Sequence, residues 1–185
     1  MNTVYLIHGW GGSPTSEPWF DWLSKSCSEQ GLTLVAPKMP DSDRPVIASW
    51  LNKLKEIVED KSCYFVGHSI GCQAILRFLE KAPFSAQGIV LVAPWMKLDA
   101  QTLEEEELAI AKPWVETPIN FKVIRKKTKK VLCIFSDNDP YVSLDEAQIL
   151  KKELSAKIVI KKHEKHFNKT LKIPEIVSFI AEDVQ

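Results

Sequence analysis

Phe65-Val66-Gly67-His68-Ser69-Ile70-Gly71 sets a serine between two glycines, each two positions away. The apolar run CYFVG (63–67) leads in, and beyond it Ile70, Ala74, Ile75, Phe78 and Leu79 recur with helical spacing. A serine on a sharp strand-to-helix turn is how a nucleophile elbow is built. Small residues at 67 and 71 let the helix and the neighbouring strand pack close to that turn. The competing reading is a tight strand–helix turn whose serine sits near the helix cap. An elbow needs partners that a cap does not: a base, an acid and oxyanion donors at the same edge of a sheet.

The rest of the chain repeats this strand–helix unit. TVYLI (3–7), LTLVA (32–36), GIVLVA (88–93), KVLCIF (130–135) and AKIVI (156–160) are short, β-rich runs that read as strands buried on both faces. Between them, Ile47, Trp50, Leu51, Leu54 and Val58 form one helical stripe, and Ile173, Ile176, Val177 and Ile180 another, with Pro174 in its first turn. Ser143 to Glu146 reads as a capping box, and Gly31 as the C-terminal glycine of a helix over 18–30. The expected architecture is α/β: one domain over 1–185, with a compact, doubly wound, mostly parallel sheet of about six strands and helices on both faces. Residues 94–129, holding EEEE (104–107), Trp114 and RKKTKK (125–130), break the rhythm. They are expected to form a short insertion of one or two helices over the strand ends, with both charge runs solvated.

Composition narrows the partners. The formal net charge is zero, which argues against nucleic acid or anionic lipid as the main partner. No apolar run approaches the roughly 18 residues that span a membrane. The four cysteines stand far apart without metal-ligand spacing, and Cys63 and Cys133 lie in strand-like runs, as free cysteines do in a reducing compartment. With no leader-like N-terminus, a cytoplasmic protein, favoured as a monomer and without metal or cofactor, is expected.

Ligands of doubly wound sheets bind at the carboxyl ends of the strands. There the chain places His8-Gly9-Trp10-Gly11-Gly12, then His68-Ser69, then Ser136-Asp137-Asn138-Asp139-Pro140-Tyr141, then His163-Glu164-Lys165-His166-Phe167. A serine hydroxyl needs a base. His68 adjoins Ser69 and should point away from it, and His8 is expected to brace the first loop. His166, further out in the last loop, is the favoured base and His163 the alternative. Asp139, made extended by Pro140, is favoured over Asp137 and Asp145 as the acid that orients the base. The backbone N–H groups of Ile70 and Trp10 are the expected oxyanion donors. Trp95, Trp114 and Tyr141 are candidates for the wall of an apolar acyl pocket.

HGxGG after the first strand, GHSIG, SxxDxxV (Ser136, Asp139, Val142) and a late HF resemble the α/β-hydrolases. MPDSDRPVIASWL (39–51), CQAILRFLE (72–80) and KPWV (112–115) are similar to one branch, the small serine hydrolases related to retinoblastoma-binding protein nine and the bacterial YdeN-like group. The resemblance spans nearly the whole chain. It implies an α/β-hydrolase fold without a large lid domain and a triad of Ser69, Asp139 and His166. The chain departs from many relatives by carrying Lys165, where they have glycine before the triad histidine. The expected function is cleavage of a small acyl substrate, an ester in the first place and an amide or thioester in the second, through an acyl-enzyme. The alternative is a non-catalytic protein-interaction module that retains the fold.

Overall fold

The computed structural model describes residues 3–59, 62–98 and 103–182. Residues 99–102 of the expected insertion lie outside them. Six strands, β1 (Thr3–Ile7), β2 (Thr33–Val35), β3 (Tyr64–His68), β4 (Gly88–Val92), β5 (Val131–Ser136) and β6 (Lys157–Lys161), form one sheet in the order β2-β1-β3-β4-β5-β6. Every pairing is parallel. The chain first winds outward from β1 to β2, then returns to the far side of β1 with β3. The loops leaving β1 and β3 therefore flank the point where the winding reverses, which is where such sheets bind ligands.

Each crossover is a helix with one apolar side. Helices α1 (Pro18–Glu29) and α7 (Pro174–Ala181) cover one face through Trp19, Phe20, Leu23, Ile176 and Ile180. Helices α2 (Ile47–Ile57), α3 (Ile70–Lys81), α4 (Glu105–Glu116), α5 (Phe121–Ile124) and α6 (Asp145–Leu154) cover the other, with Trp50, Leu54, Ile75, Trp114, Ile124 and Leu150 in its core. Pro174 opens α7, and Gly31, at φ +69°, follows the end of α1, as their positions suggested.

Two expectations need correction. Strands β2 and β6 are not buried on both faces: Thr33 and Ile160 are exposed, because these strands form the sheet's edges and each lacks a neighbour on one side. The capping box at Ser143–Glu146 does not form. Ser143 Oγ does accept from Asp145 N–H, but the Glu146 carboxylate turns inward and accepts from the Met96 and Lys97 backbone N–H groups, both at 3.0 Å. A capping box is found at α4 instead, between Glu104 and Glu107.

Candidate active site

Ser69 occupies the turn between β3 and α3 at φ 53°, ψ −121°. A non-glycine residue holds such a conformation only when its surroundings enforce it. Its N–H bonds the Val92 carbonyl at 2.9 Å, and the two glycines let the elements around it close. A Cβ at position 67 would lie 2.8 Å from Cys72 N; one at 71 would lie 2.7 Å from the His8 carbonyl and nearer still to that of Ile7. The glycines of the motif are thus packing requirements: α3 lies directly against β3 and the end of β1.

His166 lies in the loop after β6. Its Nδ1 donates to Asp139 Oδ2 at 2.8 Å, and the Asp139 side chain is 2% exposed. The other oxygen, Oδ1, accepts from the Tyr141 and Val142 N–H groups at 2.9 and 3.2 Å, so the carboxylate is held on both sides. Burial is the main influence on His166 and pushes its pKa down; the Asp139 hydrogen bond opposes this, and the balance lies below the ordinary 6.5. The His166 ring is therefore mostly neutral at pH 7.

The loop carrying His166 is strained and heavily pinned. His163, Lys165 and Phe167 all have φ between 50° and 61°. The segment after β5 holds it: Asp137 Oδ1 accepts from His163 N–H at 2.8 Å, Ser136 Oγ from Glu164 N–H at 3.1 Å, and Asn138 Oδ1 from Lys165 N–H at 2.8 Å. The left-handed conformation of Lys165 explains why glycine is at home at this position. His163, the alternative, is turned to solvent: its side chain is 80% exposed and its Nδ1 lies 3.7 Å from Asp137 Oδ1. Asp145, the third acid considered, opens α6.

Ser69, His166, Trp10, Trp95, Leu98 and Tyr141 share a cavity of about 340 Å³ at this sheet edge. The Ser69 hydroxyl accepts from Trp95 Nε1 at 3.3 Å, and among the described residues no hydrogen bond joins it to His166. Such contacts commonly tighten only when substrate is bound. The N–H groups of Trp10 and Ile70 have no partner among the described residues. Trp114 is a correction: it lies outside this cavity, 1% exposed, edge-on to Trp50 and bonded through Nε1 to the Pro45 carbonyl at 2.9 Å. It is core, because the C-terminal half of α4 packs inward over α2.

His8 braces the first loop. Its Nδ1 donates to the Gly9 carbonyl at 2.8 Å, and its Nε2 accepts from Met39 N–H at 3.0 Å. These roles require the neutral ring, and burial, the largest cause, lowers its pKa accordingly. His68 points away from Ser69, toward Glu17 and the His166 carbonyl. Glu17 and Glu146 escape sequence reasoning. Each is a lone carboxylate whose partner lies far along the chain, and no spacing marks it.

The family model described as serine hydrolase matches residues 4–173. YdeN of Bacillus subtilis (strain 168), a protein named as a hydrolase, is 31% identical over 170 residues, covering 89% of this chain and 85% of YdeN. The crystal structure of the B. subtilis ydeN gene product superposes with a TM-score of 0.86 at 26% identity, covering 98% of both chains. A carboxylesterase structure from the ammonia-oxidizing thaumarchaeon Nitrososphaera gargenis shares the fold with a TM-score of 0.74 at 15% identity, covering 98% of this chain and 89% of that one. The fold is that of the α/β-hydrolases, and the chain belongs to the serine hydrolase family.

Proposed function

We propose that the protein hydrolyses small carboxylic esters through a Ser69 acyl-enzyme. The observation that carries this reading is the buried His166–Asp139 hydrogen bond, which opens on the same cavity as the strained Ser69. Substrate brings the Ser69 hydroxyl from Trp95 to His166. Ser69 Oγ then bonds to the carbonyl carbon while its proton passes to His166 Nε2. The N–H groups of Trp10 and Ile70 receive the oxyanion. On collapse the alcohol leaves with the proton from His166, and water, deprotonated by the same ring, attacks the acyl-enzyme to release the acid. Asp139 stays ionised and stabilises the imidazolium.

The cavity lies at the small end of the range for ligand pockets, and Trp10, Trp95, Leu98 and Tyr141 give it apolar walls. This favours short acyl groups over long chains. The same reading takes the chain as a monomer acting on a small-molecule substrate in the cytoplasm, with no nucleic-acid partner. Its four cysteines are free and buried, and burial raises the Cys27 thiol to about 11, as suits a reducing compartment. Among the described residues no helix is long and apolar enough to cross a membrane. A p-nitrophenyl ester panel from acetate to decanoate tests the proposal. Turnover highest for short chains and lost in Ser69→Ala is expected; turnover unchanged in Ser69→Ala would overturn it.

A further inference from the structure

Behind His166 lies a second acid–histidine pair that the ester-cleavage chemistry does not use. His68 is 1% exposed and Glu17 6%. His68 Nε2 lies 2.9 Å from the His166 carbonyl oxygen. A carbonyl only accepts, so Nε2 carries a hydrogen. His68 Nδ1 lies 3.3 Å from Glu17 Oε1. Nδ1 has no hydrogen-bond partner among the described residues, and the Glu17 carboxylate is the charged group that faces it.

Glu17 is placed for this role at the expense of an ordinary one. It is the N-cap of α1, yet its carboxylate caps no helical N–H. Ser16 Oγ bonds its other oxygen. Trp19 and Phe20, from the first turn of α1, stand edge-on to the His68 ring with centroids 6.0 and 6.3 Å away. The ring itself lies 5.1 Å from that of His166.

We propose that Glu17 and His68 are positioning residues for His166, holding its main chain through the His68 Nε2 hydrogen bond while Asp139 holds its ring. This rests on the reading of His166 as the base. The pair also bears on when His166 is neutral. Burial pushes the Glu17 carboxyl up, but His68 and Ser16 outweigh it and hold Glu17 below its ordinary range. The other groups facing His166 are Asp139, whose hydrogen bond favours protonation, and the Tyr141 ring. His8 lies beyond, interacting electrostatically with His68 and Glu17. The Glu164 carboxylate is turned away to Thr170 Oγ1. Of the pair, His68 acts on His166 more strongly than Glu17 and disfavours its protonation.

The test is the pH dependence of kcat/KM in His68→Gln, which removes the ring that donates to the His166 carbonyl and disfavours His166 protonation. The acid limb is expected to move to higher pH by about half a pH unit, and the plateau to fall about tenfold as the loop loosens. Glu17→Gln keeps the His68 ring and should lower the plateau without moving the limb upward. A purely structural role of His68 would lower the plateau and the melting temperature without moving the limb. Should His68→Gln not fold, His68→Asn removes the same ring. An NMR titration of the His166 ring in Ser69→Ala, with and without His68→Gln, reads the same shift without turnover, so it separates this proposal from the proposed ester chemistry. A His166 titration unmoved, or moved to lower pH, by the loss of His68 overturns it.

Discussion

Gly71→Ala adds one methyl group where the structure leaves no room. Gly71 does not need a left-handed backbone, so any effect of the change is one of packing. The new Cβ would stand 2.7 Å from the His8 carbonyl oxygen, against an ordinary contact of 3.4 Å or more, and nearer still to that of Ile7. Both neighbours are backbone atoms and cannot rotate aside. The N-terminus of α3 must therefore retreat from the end of β1 by about 0.7 Å at least. Overpacking of this kind costs about 1–3 kcal/mol. At about 2–4 °C per kcal/mol for a chain of this size, the melting temperature should fall by about 2–12 °C. The same retreat carries Ser69 and the Ile70 N–H away from Trp10, so the proposed nucleophile and oxyanion donors lose their alignment. Misplacement approaching 1 Å costs up to about 100-fold, and kcat/KM on a short-chain ester should drop about 10- to 100-fold. Circular-dichroism melting and steady-state hydrolysis measure the two effects. Gly31→Ala is the control: that glycine has φ +69° and nothing within 4 Å of an added Cβ, so it should cost about 1 kcal/mol and leave kcat/KM intact. A Gly71→Ala protein with wild-type melting temperature and kcat/KM would refute the packing account of the motif.

Three further outcomes follow from the same geometry. Because burial lowers the pKa of His166, its neutral form persists below pH 6.5; kcat/KM should rise with pH on an acid limb centred below 6.5 and be level by pH 7, and a limb centred above 7 would contradict this. Lys165→Gly relieves a left-handed residue and should raise the melting temperature by about 2 °C, as a gain of up to about 1 kcal/mol implies. Arg77 donates to the Trp114, Thr117 and Pro118 carbonyls at the end of α4 and to Gln73, which in turn donates to the Trp95 carbonyl. Arg77→Met should therefore destabilise the protein by about 3 kcal/mol in a denaturant titration and raise KM by loosening the Trp95 wall.

What the chain discloses about itself follows the range of the forces involved. Local patterns reveal β1, β3, β4 and β5 as buried strands, because their apolar runs carry the whole signal. The same patterns cannot tell that β2 and β6 lie at the edges, since strand order is a property of the sheet rather than of any segment. The elbow at Ser69 and the Asp139–His166 contact are legible through turn chemistry and chain order at the strand ends. Trp114 is not, because its Pro45 and Trp50 neighbours come from a distant part of the chain. Glu146 misleads for a related reason: its local partner, the cap at Ser143, loses to two N–H groups after β4 that local sequence does not bring near. Glu17 is the extreme case, a helix-start carboxylate that faces the histidine beside Ser69.

The central claim is that Ser69, activated by His166, is a nucleophile. A fluorophosphonate probe reacts covalently with such a serine and leaves an inert hydroxyl unmodified. Intact-protein mass spectrometry should show one adduct per chain, with fragmentation placing it on Ser69, and labelling should be lost in Ser69→Ala and strongly slowed in His166→Ala. A folded wild-type protein that takes no label, or a Ser69→Ala protein that takes it as fast as the wild type, would contradict the account.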